Sequence, residues 1–219
     1  MKINNELVEV LDSFSKINPH ILIRPGNTIR TVNPGENVLA SYEYDGEGFD
    51  EEVGLGNIRE FLSVIGLIEN PELEFHDQMV IIKNDISKAL YFLTAPELVE
   101  MKNKNDIPPE QSNIQFVLKN EDINKLRRAS SMINAQKIII TSGDNNVNFT
   151  LVDEDNPTSN EFQLTIDARC EEGFEGAMFI EHLILMKGDY YVTISESGIA
   201  LFMHNDISLK YWIILNDIN

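Results

Sequence analysis

A chain of 219 residues with 42% hydrophobic residues is long enough for two domains of roughly 100 residues each and too apolar for a disordered one. Its formal net charge of −19 is spread evenly along the chain, so most of the surface repels nucleic acid, and any grip on a phosphate backbone is confined to a local basic patch. A single cysteine, Cys170, excludes an internal disulfide framework and fits a reducing cytoplasm, while no apolar run reaches the roughly 20 residues of a membrane span and MKINNELVEV is too polar for a signal peptide.

Asn5 to Asn18 places Leu7, Val10, Leu11, Phe14 and Ile17 on one arc, which predicts a helix that Asn18-Pro19 stops. Short strands follow at 20–24, 28–32 and 37–44, separated by Pro25-Gly26-Asn27 and Asn33-Pro34-Gly35. An acidic bend (Asp45, Glu47, Asp50, Glu51, Glu52) leads to a second helix at 57–68, ended by Asn70-Pro71, and to strands at 72–75, 79–83 and 89–94. From Ala95 to Ser112 the periodicity lapses, which marks a linker between domains at 1–94 and 113–219.

The order then recurs. A strand at 114–119 precedes a helix from Asn120 to Asn134, with Asn120 as N-cap and with Ile123, Leu126, Ala129, Ser130 and Ile133 on one arc. Strands at 137–141 and 146–152 flank a turn at Ser142-Gly143-Asp144. A strand at 162–170, an apolar stretch at 177–186 in the place of a fourth helix, and strands at 190–194, 198–203 and 208–215 complete the chain. SKIN at 15–18 answers SMIN at 131–134, Gly26 answers Gly143, Glu51-Glu52 answers Glu171-Glu172, and NDIS at 84–87 answers NDIS at 205–208. The offset between these matches grows slowly, as duplication followed by small loop insertions leaves it.

Catalytic constellations are missing. The four histidines are isolated, no CxxC, P-loop or GxGxxG occurs, and the acidic bend lacks the ligand spacing of a calcium loop, so neither a metal site nor a cofactor is expected. Lys125, Arg127 and Arg128 crowd the side of their helix opposite the apolar arc. There a phosphate backbone can be held without sequence readout.

LVEVLDSFSKIN with the following HILIRPGNTIRTV, the helix GNIREFLSVIGLI, and EDINKLRRASSMINAQKIIIT together resemble the sliding clamps of T-even-type bacteriophages, the ring-shaped polymerase processivity factors, over essentially the full length. The resemblance implies an α+β fold of two tandem clamp repeats, each with two helices on antiparallel sheets. It implies a homotrimeric ring around double-stranded DNA in the cytoplasm of the infected host, opened by an ATP-dependent clamp loader and bound by a C-terminal peptide of the polymerase. Carried over position by position, Lys125, Arg127 and Arg128 face the DNA, joined by Lys16, Arg59, Lys187 and Lys2. By analogy with clamps generally, Leu98, Val99, Ile107, Pro108, Tyr211 and Trp212 form the peptide pocket. One departure stands out: Glu9 and Asp12 occupy the first-helix positions that match Lys125 and Arg128. The competing readings are an acidic DNA mimic, in which a basic helix face is wasted, and a small-ligand-binding α+β protein or enzyme.

Overall fold

The computed structural model describes residues 1–99, 112–156, 158–170 and 173–218. Contacts divide the chain into two compact units, Met1–Asp106 and Ile107–Asn219.

Unit 1 opens with α1 (Asn5–Ile17), whose N-terminus is capped by Asn4 Oδ1 accepting from Leu7 N at 2.8 Å. Every member of the expected apolar arc is buried, and that arc lies on β2 (Thr28–Val32) and β3 (Val38–Glu43). The β2–β3 turn is held by Asn33 Oδ1, which accepts from Asn37 N and Val38 N. β1 (Ile21–Ile23) pairs antiparallel with β4 (Val53–Leu55). α2 (Ile58–Ile65), capped by Asn57, packs against α1 and against the meander of β5 (Glu72–His76), β6 (Met79–Lys83) and β7 (Lys88–Phe92), where Phe61 meets Tyr91 edge to face. A 3₁₀ turn at Pro96–Leu98 follows.

Unit 2 begins with β8 (Ser112–Leu118) and α3 (Asn120–Ile133), then β9 (Lys137–Gly143), β10 (Asn146–Val152), β11 (Phe162–Cys170), β12 (Glu175–Phe179), β13 (Tyr190–Ser195), β14 (Ile199–His204) and β15 (Leu209–Ile214). Hydrogen bonding joins these strands in the order β12-β9-β10-β11-β8-β13-β14-β15. α3 buries Ile123, Leu126 and Ser130 over β10 and β11.

The duplication is visible pairing by pairing. β1–β4 corresponds to β9–β12, β2–β3 to β10–β11, and β5-β6-β7 to β13-β14-β15. Lys2 bridges Glu72 just before α1, as Leu118 pairs with Tyr190 just before α3. The second residue after each third strand returns to the strand before the second helix position. Thr94 N donates to Gly54 O at 2.9 Å, and Asn216 and Ala177 exchange two bonds of 2.7 and 2.8 Å.

Three local expectations are corrected. The segment expected to form the fourth helix is strand β12 and then a single 3₁₀ turn, Ile180–His182. Its continuation buries Leu183 and Leu185 with a period of two, so no helical stripe exists to bury. α3 starts one residue early, with Lys119 at the N-cap, because the Asp189 carboxylate accepts from Asn120 N at 2.8 Å and supplies from a distant loop what a local cap would have given. The β9–β10 turn is made by Asp144 and Asn145, at φ 52° and 59°, and not by Gly143. Two successive left-handed residues give the primed turn that matches strand twist, and Asp and Asn tolerate that conformation well.

Candidate nucleic-acid interface

The solvent sides of the three helices among the described residues carry the charges that matter. On α3, Lys125 and Arg128 are exposed. Lys125 Nζ lies 3.8 Å from the Asp122 carboxylate, and Arg128 Nε donates to Asn124 O at 3.3 Å within the same helix. Such exposed contacts are worth a few tenths of a kcal/mol, roughly, and leave both side chains available to a phosphate.

Arg127 is different. Its Nη2 donates to Leu183 O at 2.7 Å and to Leu185 O at 3.1 Å, and the side chain is half-buried. Burial lowers its pKa from the ordinary arginine value, with the neighbouring Tyr190 and Tyr211 opposing that shift. Arg127 therefore does not lie on the free face with its neighbours, and the basic triplet is in space a pair. Helical phase explains this: position 127 is one step round from Leu126, at the margin of the buried stripe, where a long side chain reaches inward.

α1 shows an opposite balance. Glu9, Asp12 and Lys16 are exposed, and Lys16 Nζ is held by Asp12 at 2.7 Å. On α2, exposed Arg59 stands beside exposed Glu60 and donates through Nε to Ser15 Oγ at 3.3 Å. Lys187 is exposed on the segment that follows the 3₁₀ turn. Lys2 is 83% exposed and 3.7 Å from Glu72. The helices thus bring together one cationic surface, on α3, and one nearly balanced surface, on α1 and α2. The acidic bend is solvated: Glu47 is 3.7 Å from the N-terminal amine and Glu52 is 3.8 Å from Arg24 Nε. Among the described residues no group of three or more His, Cys, Asp or Glu is placed to hold a metal ion.

The residues expected to form the peptide pocket differ in exposure. Tyr211 and Trp212 are buried in β15, 0% and 3% exposed. Tyr211 packs against the Tyr190 ring at 6.1 Å, and Trp212 stands across from Leu201 in the ladder. They are core residues, because β15 buries the side chains of three successive positions and so is covered on both faces. Leu98 is 76% exposed and Val99 is buried, while Ile107 and Pro108 lie outside the described residues. Sequence reasoning missed a different apolar feature. On β7, Leu90 and Phe92 are 52% and 73% exposed on the face opposite buried Tyr91. The signal was present in KALYF, where Ala89, Leu90, Tyr91 and Phe92 put apolar side chains on both faces of the strand.

Two repeats of helices on antiparallel sheet, with basic residues displayed on a helix, make up the DNA-clamp fold. The chain is similar in structure to the proliferating cell nuclear antigen of Entamoeba histolytica, with a TM-score of 0.71 at 14% identity and coverage of 96% of this chain and 94% of that one. It is equally similar to that of A. fulgidus bound to the C-terminal region of FEN-1, with a TM-score of 0.72 at 14% identity, covering 98% and 96%. No established family profile matches the chain. In sequence it is 28% identical over 219 residues to the sliding clamp of Vibrio phage KVP40, covering 97% of this chain and 98% of that protein. It is 23% identical over 203 residues to the sliding clamp of Escherichia phage RB69, covering 90% and 89%. In sequence along nearly its whole length, and in fold, the chain is similar to sliding clamps.

Proposed function

We propose that the chain is a processivity factor that encircles double-stranded DNA and tethers the replicative polymerase, and that three copies, each with repeats at 1–94 and 113–219 joined through 95–112, close head to tail into a ring. The strand edges support this reading. β7 ends the three-stranded sheet of unit 1 with Leu90 and Phe92 exposed, while Phe162–Asp167 of β11 pair with β10 and only Ala168–Cys170 pair with β8. An open edge with an uncovered apolar face is a site for strand addition, and two unlike edges give a heterologous contact that must close to stop growth.

In this reading Lys125 and Arg128 are the principal DNA-facing residues, with Lys16, Arg59, Lys187 and Lys2 as additional cations. The observation that carries it is α3 itself, which buries one side on β10 and β11 and presents two exposed cations on the other in a chain of net charge −19. An ATP-dependent loader opens the ring in the cytoplasm of the infected cell. The C-terminal peptide of the polymerase docks near Leu98, with Ile107 and Pro108 as further candidates. The test has two parts. Light scattering should give three times the 24.9 kDa chain mass. Loader-dependent retention on nicked circles should show a shallower salt dependence for Lys125→Ala/Arg128→Ala. A monomer in solution defeats the ring; a double variant retained like the parent at every salt concentration defeats the DNA-facing assignment.

A further inference from the structure

In unit 1 the position that matches Arg127 is Leu11, a buried residue of α1 beneath a real helix, α2. A helix meets its own backbone needs, each carbonyl accepting from the amide four residues on. The corresponding segment of unit 2 is not helical beyond its 3₁₀ turn, so the carbonyls of Leu183 and Leu185 need donors from elsewhere. Arg127 supplies both, through one nitrogen of its fork.

The next residues are anchored in the same manner. Tyr211 Oη accepts from Met186 N at 3.2 Å, and Tyr190 Oη donates to Met186 O at 2.7 Å. His204 Nδ1 accepts from Asp206 N, which leaves the proton on Nε2, and that nitrogen lies 3.3 Å from Lys187 O. Side chains from α3, β13, β14 and β15 thus hold the backbone from Leu183 to Lys187, which ends at an exposed cation.

We propose that Arg127 is a positioning residue for Lys187, its guanidinium replacing the hydrogen bonds of a missing helix and so fixing where Lys187 meets the phosphate backbone. The proposal rests on Lys187 facing DNA. It turns an arginine that sequence placed on the DNA into one that acts on DNA only through another residue.

A double-mutant cycle decides it, with Arg127→Leu, Lys187→Ala and their combination. Each is compared by the slope of log retention against log salt on nicked circles with the loader present. Each phosphate that the protein no longer neutralises lowers that slope by about 0.9. Lys187→Ala should flatten the slope, Arg127→Leu should flatten it to the same degree, and the combination should add nothing. Amide exchange across Leu183–Lys187 should rise at least tenfold in Arg127→Leu and stay at parent rates in Lys187→Ala. Additive losses would mean that Arg127 meets phosphate itself, and unchanged exchange would mean that it braces nothing; either result overturns the proposal. Should Arg127→Leu fail to give a trimer, Arg127→Met, neutral, flexible and without a donor, runs the same cycle with the same criterion. Lys125→Ala/Arg128→Ala separates the two readings. If it leaves the slope at the parent value, the DNA-facing reading fails, while the exchange result still judges the brace.

Discussion

Reversing the charge of α1 tests the electrostatic layout from the side where it is least favourable. Glu9 and Asp12 are exposed and stand where α3 carries Lys125 and Arg128, so Glu9→Lys/Asp12→Lys gives α1 the character of α3. The fold should hardly notice. The change breaks the Asp12–Lys16 pair, 2.7 Å long and exposed, and pairs of that kind contribute about 0.3–0.5 kcal/mol. The effect on DNA should be much larger. At about 0.9 in slope per phosphate neutralised, two new contacts steepen the salt dependence by about 1.8 for a single chain. Over a fourfold change in salt, from about 50 to about 200 mM, that amounts to roughly a further tenfold loss of retention. The assay is dissociation from nicked circles after loading, with mass by light scattering and a thermal melt as controls. Retention at low salt should lengthen by at least that factor, since the proposed ring carries three copies of α1, and converge on the parent at high salt. A trimeric, normally stable variant whose slope equals the parent's would show that α1 does not face the DNA.

Trp212→Ala should destabilise by about 3–5 kcal/mol, the usual loss for a buried Trp, because the side chain is 3% exposed in β15; a normal melting temperature with polymerase binding lost would return it to a peptide pocket. Gly54→Ala should destabilise unit 1, since the new Cβ would run into Thr94 O, and calorimetry showing an unshifted transition would refute that clash. Burial holds His182 below its ordinary pKa of 6.5, with the Glu181 carboxylate opposing at 3.9 Å. The unfolded chain therefore binds a proton that the native state resists, and stability should fall as pH drops below about 6.5. His182→Phe should flatten that part of the profile, and an unchanged profile would place the titration elsewhere.

The duplication was legible in sequence because it rests on local patterns. Leu7, Val10, Leu11, Phe14 and Ile17 announce α1 by spacing alone, and all are buried. What escaped depends on distant partners. Arg127 reads as one of three equal cations until the carbonyls of Leu183 and Leu185 are seen within its reach. Beside the local bond from Lys119 N to the Asp122 carboxylate, α3 is capped by Asp189, 69 residues away from Asn120, and no local cap rule anticipates that partner. Tyr211 and Trp212 attract attention as aromatics near the end of the chain, and only the packing of β15 reveals them as core. The acidic Glu9 and Asp12, by contrast, were readable at once, because side chains on a helix's outer face need no tertiary context.

The bonds that return each repeat's tail to the strand before its second helix position differ in redundancy. In unit 1 Thr94 gives one backbone bond to Gly54, a residue with no side chain to pack, whereas in unit 2 Asn216 and Ala177 are tied by two. A single bond can be broken in one fluctuation; a reciprocal pair must break together. The two halves of a duplicated molecule therefore fray unequally at this point. The amide of Thr94 is set to exchange with solvent sooner than those of Ala177 and Asn216, and a protease probing the ends of the third strands gains its first access after β7.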